Sequence, residues 1–161
     1  MIDSTDAEIL KILQSNARTS NAEIARQVDL APSAVFERIR KLEERGVIEG
    51  YHARIRPREV DLPLLAFVFV RADDRRADET ALRVASIPEV LEVHDVAGED
   101  CLLAKVRAAD TEALGRLLRD RLQSIDSITS TRTTIVLETV KESSALPLET
   151  ASPTLPESVR V

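Results

Sequence analysis

Apolar side chains recur at helical spacing in two segments near the start of the chain. They are Ile9, Ile12 and Leu13 in the first segment, and Ile24, Ala25 and Val28 in the second. A capping-box pattern, a hydroxyl residue followed three positions later by Glu, stands ahead of each stripe, at Thr5 and at Ser20. The pattern predicts two short amphipathic helices that share one small core.

A third apolar stripe follows after a short interruption. Val35, Ile39 and Leu42 recur at positions i, i+4 and i+7, as on one face of a helix. Pro32 suits the first turn of that helix and Gly46 suits its end. Because the turn before Pro32 is so short, the second and third helices form a helix-turn-helix, whose second helix enters the DNA major groove.

Residues 47–56 alternate loosely between apolar and polar positions, which predicts a β-wing after the third helix. Pro57 and Pro63 then bracket a segment that breaks regular structure. We therefore predict a winged helix-turn-helix DNA-binding domain over residues 1–56 and a linker over residues 57–62.

Beyond the linker the pattern changes to β-α-β-β-α-β. Strands are predicted over residues 64–70, 90–96, 102–107 and 128–140, and helices over residues 78–87 and 111–125. This order is that of a ferredoxin-like split βαβ unit, so the fold class is α+β with a second domain over residues 63–142. Residues 143–161 are rich in Pro, Ser, Thr and Glu, which predicts a flexible C-terminal tail.

The predicted sheet carries more apolar side chains than one small domain needs inside. They are Leu64, Phe67, Phe69, Ile135 and Leu137. Two helices cover only one face of such a sheet, so the other face is expected to meet a second copy of the chain. The pattern therefore predicts a homodimer built through residues 63–142.

The charge of the chain is unevenly distributed. The net charge is −6, but residues 18–58 carry nine basic and six acidic side chains, a local surplus of +3. The surplus coincides with the predicted helix-turn-helix, and distribution matters more than the sum for a protein that meets phosphates. A surplus this modest suits one module of an oligomer better than a lone high-affinity DNA binder.

Several other functional classes lack support in the sequence. No apolar run approaches the roughly 20 residues that span a bilayer, and the acidic start has no signal-peptide core, so a cytoplasmic protein without a membrane partner is expected. With two His and one Cys, no metal-site spacing is present. The chain has no Gly-rich phosphate loop, nucleophile elbow or Cys/His pair, so we expect neither an enzyme nor a cofactor.

The chain resembles the leucine-responsive regulatory protein/AsnC family of transcriptional regulators from about residue 3 to residue 142. The motifs that carry the resemblance are Asp6-x-x-Ile9-Leu10, Asn16-Ala17-Arg18, Glu23-Ile24-Ala25, Arg38-Ile39-Arg40-Lys41-Leu42-Glu43-x-x-Gly46-Val47-Ile48-x-Gly50-Tyr51, and Val96-Ala97-Gly98-Glu99-Asp100. The resemblance implies DNA binding by the N-terminal domain and homodimers, often assembled into octamers, built through the C-terminal domain. It also implies a small effector, commonly an amino acid, bound between C-terminal domains beside the Gly-containing turn.

Candidate contacts to double-stranded DNA lie on the third helix and in the wing. They are Ser33, Ala34, Glu37, Arg38, Arg40, Lys41, His52 and Arg54. Arg is the usual reader of guanine edges, whereas phosphate contacts are the commoner use of basic side chains. The alternative interpretations are a solvated helix face and an ordinary exposed strand. The acidic residues of this helix are expected to point away from DNA or to pair with Arg40 and Lys41 at helical spacing.

Candidate effector-binding residues lie at the Gly-containing turn and in the last strand. They are Gly98, Glu99, Asp100, Cys101, Thr131, Thr133 and Thr134. A glycine turn lets a ligand approach backbone N–H groups, which suit a carboxylate, while acidic side chains suit an ammonium group. Members of the family often have Asp where this chain has Cys101. The alternative interpretations are a tight hairpin turn and, for Cys101, a small buried hydrophobe or a redox-sensing thiol.

The main hypothesis is therefore a sequence-specific DNA-binding regulator whose assembly or DNA binding responds to a small effector. An alternative is an amino-acid-sensing or interaction module whose helix-turn-helix does not bind operator DNA. Salt-sensitive operator binding distinguishes the two.

Overall fold

The computed structural model describes residues 2–98 and 100–148. These residues divide into two units, one containing residues 2–53 and 142–148 and the other residues 54–98 and 100–141. Residue 99 and most of the predicted C-terminal tail lie outside the described residues.

Three helices form the first unit, as the apolar spacing predicts. They are α1 (Ser4–Ser15), α2 (Asn21–Gln27) and α3 (Pro32–Glu44). Their core consists of Ile9, Ile24, Ala25 and Val35, and the other predicted stripe residues pack around it. Asp29, in the turn between α2 and α3, adopts the left-handed conformation with φ of 51°. An Asp tolerates this conformation better than most residues, which allows so tight a turn.

The start of α1 differs from the sequence prediction. The capping box is formed by Asp3 and Asp6, one turn apart, rather than by Thr5 and Glu8. The Asp6 N–H donates to Asp3 Oδ1 at 2.7 Å, and the Asp3 N–H donates to Asp6 Oδ2 at 3.3 Å. Asp caps a helix at least as well as Thr, so the helix begins earlier than predicted. At α2 the structure shows the Ser20 half of the predicted capping box: the Ser20 hydroxyl accepts from the Glu23 N–H, whereas the Glu23 carboxylate accepts from Arg26 and Gln27.

The end of α3 is also as predicted, but the wing is not. Gly46 has φ of 67° and ends the helix in the left-handed conformation that glycine adopts without strain. Residues 47–56, predicted as a β-wing, contain no strand. A strand needs a neighbouring backbone to pair with, and no other described segment pairs with this one.

The second unit contains the predicted β-α-β-β-α-β order. Its elements are β1 (Leu64–Ala72), α4 (Ala77–Ala85), β2 (Val90–Asp95), β3 (Leu102–Ala108), α5 (Thr111–Arg116), which continues as a π-helical segment (Leu117–Leu122), and β4 (Ile128–Ile135). All neighbouring strands are antiparallel, and their order across the sheet is β2-β3-β1-β4. The ferredoxin-like fold is therefore confirmed.

The last strand is shorter than predicted. β4 ends at Ile135, which pairs with Ala66, and the Val136 N–H still donates to the Leu65 carbonyl. Its partner β1 begins directly after Pro63, which has no N–H to offer the ladder. The pairing therefore ends several residues before position 140.

The two faces of the sheet differ in burial. Ala66, Val68 and Val70 of β1 are fully buried in a core that also contains residues of α4 and α5. Phe67 and Phe69 point to the opposite face and are only half-buried by the described residues. One face is thus covered by helices and the other is open. Among the described residues no helix is both long and apolar enough to cross a membrane.

Candidate DNA-binding and effector-binding sites

The exposed face of α3 is the one that the sequence predicts. Val35 and Leu42 point into the core, whereas Ser33 and Glu37 are exposed and Ala34 is half-buried. A helix that follows a tight turn and exposes one polar face can lie in the major groove. The basic side chains of α3 differ in how far their charges are already paired.

Arg38 is bound to acidic residues at the start of α1. Its Nη1 donates to Asp3 Oδ2 and to Asp6 Oδ1, each at 2.7 Å. These contacts raise the pKa of Arg38, the hydrogen bond to Asp3 being the largest cause. The pKa of Asp3 is lowered, first by the Asp6 N–H and then by Arg38. The guanidinium predicted to meet DNA therefore faces α1.

Arg40 is paired within α3. Its Nη2 lies 2.8 Å from Glu37 Oε2 and its Nη1 lies 2.5 Å from Glu44 Oε1. These contacts raise the pKa of Arg40, mainly through the hydrogen bond to Glu37. The predicted pairing of acidic side chains with Arg40 is confirmed. Both pairs are exposed, and exposed ion pairs contribute little to stability, so a phosphate can replace them at small cost.

Lys41 is the basic residue of α3 whose side chain has no ion pair or hydrogen bond within the part of the chain that the structure describes. Lys41 is exposed, and the next residue along the chain, Leu42, is buried. Its charge is available to a phosphate without loss of an existing contact. The positive charge of the α3 surface is thus concentrated at Lys41, with Arg40 beside it.

The segment after α3 contributes Tyr51 to this unit. The Tyr51 hydroxyl donates to Glu43 Oε1 at 2.9 Å, and burial together with this carboxylate raises the pKa of Tyr51 to about 12. His52 is exposed in the same unit. Arg54, also a predicted DNA contact, belongs to the second unit.

The predicted effector turn joins β2 to β3. Gly98 has φ of 154°, a backbone conformation that favours glycine, and nothing lies within 4 Å of where a Cβ would be. The turn is closed by the Val96 N–H, which donates to the Cys101 carbonyl at 3.0 Å. Cys101 is half-buried, and its N–H donates to the Val70 carbonyl at 3.0 Å. Glu99 lies outside the described residues.

Asp100 is bound to a residue that the sequence prediction missed. Its Oδ2 accepts from Arg132 Nη2 at 2.8 Å, across the end of β1. The same guanidinium stacks 4.0 Å over the Phe69 ring, within cation–π distance. Asp100 is therefore already paired with a cation that is itself 62% exposed. The available signal was an Arg set between Thr131 and Thr133 in a strand where neighbours alternate faces.

The three predicted threonines do not share a face. Thr131 and Thr133 pair with Val70 and Val68 and are half-buried on the helix-covered side of the sheet. Thr134 pairs with Phe67 and is exposed on the open side, the side of Arg132. Strand alternation separates them, so one chain brings Arg132, rather than the whole threonine set, to Asp100.

Two family models match the chain, one in its N-terminal part and one in its C-terminal part. The model described as winged helix-turn-helix DNA-binding matches residues 2–49, and the model described as Lrp/AsnC ligand binding domain matches residues 65–146. The second match includes β1 to β4 and the turn at Gly98.

Individual proteins match over nearly the whole chain. The HTH-type transcriptional regulator FL11 of Pyrococcus horikoshii is 37% identical over 92% of this chain and 97% of its own. A transcriptional regulator of Neisseria meningitidis, solved with L-Met, has a TM-score of 0.87 and 33% identity over 92% of this chain and 97% of its own. The feast or famine regulatory protein of M. tuberculosis, complexed with L-methionine, has a TM-score of 0.86 and 35% identity over 92% of this chain and 100% of its own.

Proposed function

The chain belongs to the Lrp/AsnC family of transcriptional regulators, and from this premise we propose how its own residues bind DNA and an effector. As a member of that family it is a DNA-binding regulator that responds to a small ligand and forms homo-oligomers. We assign DNA contact to α3 and effector contact to the turn at Gly98. We propose a regulator that catalyses no reaction, uses no cofactor and meets DNA in the cytoplasm.

The DNA assignment rests on one observation, the unpaired Lys41 on the exposed face of α3. Lys41 contacts a phosphate, and Arg40 exchanges Glu37 and Glu44 for a second phosphate. Ser33 and Ala34 lie near the start of α3, the part of a recognition helix that contacts base edges. His52 adds a backbone contact from the segment after α3. The cost of freeing Arg40 is small because both of its pairs are exposed.

A salt titration tests this assignment. The probe is a duplex selected from a random-sequence pool with the wild-type protein. Arg40→Gln/Lys41→Gln should lower the slope of log affinity against log salt by about 1.8, since each phosphate contact contributes about 0.9. Arg116→Gln is the matched control, because Arg116 forms an exposed helical pair with Glu112 in the second unit.

The possible results separate the two function hypotheses. An unchanged slope in the double variant would remove the assignment of Arg40 and Lys41. A wild-type protein that enriches no duplex at all would favour the alternative, a sensing module that does not bind operator DNA.

The effector assignment rests on the Asp100–Arg132 pair. The two side chains present opposite charges 2.8 Å apart beside a glycine whose missing side chain leaves open space. An amino acid is a zwitterion of matching charges, so its ammonium group meets Asp100 and its carboxylate meets Arg132. Thr134, which lies on the same side of the sheet as Arg132, offers a hydroxyl from the last strand. Cys101 holds the turn through its backbone, and its thiol donates to the Ala72 carbonyl at 3.7 Å.

Calorimetry with L-Met tests the effector assignment, because L-Met is the ligand named for two solved relatives. Asp100→Asn and Arg132→Gln should each weaken binding at least tenfold, about 1.4 kcal/mol. Asp126→Asn, an exposed carboxylate in the loop before β4, is the control and should bind normally. Normal binding by both site variants would place the site elsewhere. If L-Met does not bind, the other amino acids follow as probes.

The oligomer is proposed to form through the open face of the sheet. Phe67 and Phe69 lie there half-buried, and apolar surface of this kind marks an interface. In sedimentation velocity, Phe67→Glu should shift the full chain to smaller species. Gln123→Glu adds the same charge at an exposed position after α5 and should leave the assembly intact. If Phe67→Glu forms the same assembly as the wild type, the open face of the sheet is not the interface.

A further inference from the structure

We propose that Arg38 is a positioning residue, which fixes α3 against the start of α1 and does not itself contact DNA. The inference rests on the proposed function, in that α3 is taken to be the helix that meets DNA. It differs from the sequence prediction, which grouped Arg38 with Arg40 and Lys41 as a direct electrostatic contact.

Each oxygen of the two carboxylates that hold Arg38 already accepts a hydrogen bond. Asp3 Oδ1 accepts from the Asp6 N–H, and Asp3 Oδ2 accepts from Arg38. Asp6 Oδ2 accepts from the Asp3 N–H, and Asp6 Oδ1 accepts from Arg38. Each of the four oxygens thus has its own donor. The capping box of α1 and the contact to α3 are one network rather than two.

Burial makes this network different from the pairs of Arg40. The side chain of Asp6 is only 11% exposed and that of Arg38 is 34% exposed, whereas Arg40 is 46% exposed and its two partners more so. Removing Arg38 would leave the charge of Asp6 largely shielded from water and unpaired, which is costly. A DNA phosphate would also be repelled by both carboxylates if it approached Arg38. Arg38 therefore stays with Asp3 and Asp6 while Arg40 exchanges partners.

The position of the contact explains what it does. Arg38 lies in the middle of α3, three residues from buried Val35 and four from buried Leu42. It is tied to residues 32 and 35 positions away in the chain. A contact from Arg38 Nη1 to two carboxylates at this place restricts rotation of α3 about its own axis, and that rotation decides which side chains face the groove. A guanidinium can bridge two carboxylates in this way, whereas a Lys ammonium on a flexible stem does so less rigidly.

The direction in which one substitution changes DNA affinity distinguishes a positioning role of Arg38 from direct contact with DNA. Asp6→Asn removes a negative charge beside α3, so electrostatics alone would tighten DNA binding. If Arg38 positions α3, the same substitution should weaken binding several-fold, because Arg38 loses its most buried partner. A change of net charge alone does not produce this reversal, and circular dichroism of Asp6→Asn checks that the helices are retained.

The experiment measures affinity and salt slope for the selected duplex, with the full chain in every case. Arg38→Gln should weaken binding several-fold and leave the salt slope at its wild-type value. Lys41→Gln, the matched control, should lower the slope by about 0.9. The double variant Arg38→Gln/Asp6→Asn should lose no more DNA affinity than the single variant that binds DNA more weakly, since both substitutions break one network. Arg38→Lys should recover part of the loss.

Asp3→Asn gives a milder variant in case the others fold poorly, because Asp3 is half exposed. It too should weaken DNA binding despite losing a negative charge. A slope for Arg38→Gln that falls as in Lys41→Gln, or tighter binding by Asp6→Asn and Asp3→Asn, would overturn the inference. If the wild type selects no duplex, the DNA-binding proposal fails instead. A double-mutant cycle of Asp6 and Arg38 in urea unfolding then decides whether the two side chains are coupled, and additive losses would overturn the network.

Discussion

The side-chain amide of Gln14 pairs with the backbone of Leu146 in both directions. The Leu146 N–H donates to Gln14 Oε1 at 2.6 Å, and Gln14 Nε2 donates to the Leu146 carbonyl at 3.2 Å. An amide that satisfies both backbone groups of one residue holds an extended segment as a neighbouring strand would. The segment after the sheet is therefore held on α1, within the first unit.

Gln14→Ala should accelerate amide hydrogen exchange at Leu146, because the N–H loses its acceptor. Gln14→Glu keeps an acceptor and should show an intermediate rate. Exchange at Leu146 is followed by NMR of protein labelled with ¹⁵N-leucine. Gln27→Ala on α2 is the control and should leave the rate unchanged. Equal rates in the wild type and Gln14→Ala would show that the pairing does not persist in solution.

Tyr51 should lose its proton only at an unusually high pH. Burial first, and then its hydrogen bond to Glu43, raise the pKa of Tyr51 to about 12. It is the only Tyr, and the chain has no Trp, so absorbance near 295 nm reports Tyr51 alone. Because the folded pKa is raised, this contact stabilises the fold below the ordinary Tyr pKa of about 10 and is lost as the pH rises toward 12. Glu43→Gln should lower the measured pKa, and an ordinary pKa in the wild type would refute the contact.

Acid should destabilise the start of α1. The pKa of Asp3 is lowered by the Asp6 N–H and by Arg38. A lowered carboxyl pKa means that the stabilisation is present above the unfolded pKa and is lost as the pH falls through the folded value. Urea midpoints measured from about pH 5 downward should therefore fall more steeply for the wild type than for Asp3→Asn. Asp126→Asn should follow the wild type. Parallel curves for wild type and Asp3→Asn would contradict the prediction.

Substitution of two glycines by alanine should change the free energy of unfolding in opposite directions. Gly46 has φ of 67° with open space around it, so Gly46→Ala strains only the backbone and should cost about 1 kcal/mol. Gly115 lies inside α5, and a Cβ there would meet only the flexible end of Arg119. Gly115→Ala should therefore stabilise by roughly 0.5–1 kcal/mol, since Ala favours a helix interior. Urea unfolding of the full chain checks both, and shifts of the same sign would contradict the assignment.

Local pattern was sufficient for most of the fold. The stripes at Ile9, Ile24 and Val35 predicted the three helices, and the order of strands and helices predicted the ferredoxin-like sheet. These features depend on residues a few positions apart, whose relation is set by helix and strand periodicity. The exposed face of α3 followed from the same periodicity. The capping of α1 and the end of β4 were less predictable, because several nearby residues can cap a helix and a strand ends where its partner does.

The sequence by itself determined the helices and the four strands of the sheet, which face of each is apolar, and where basic residues are concentrated, whereas the predicted wing over residues 47–56 formed no strand. Only the tertiary structure decided which charges are already paired. Arg38, Arg40 and Lys41 are all basic residues of one helix in the sequence. In the structure Arg38 contacts the start of α1, Arg40 contacts residues of its own helix, and the Lys41 side chain has no partner among the described residues. Asp100, in the turn before β3, meets Arg132 of β4 across β1, which lies between those two strands. Such pairs join residues 32 or more positions apart, and their distances are fixed by packing rather than by local spacing.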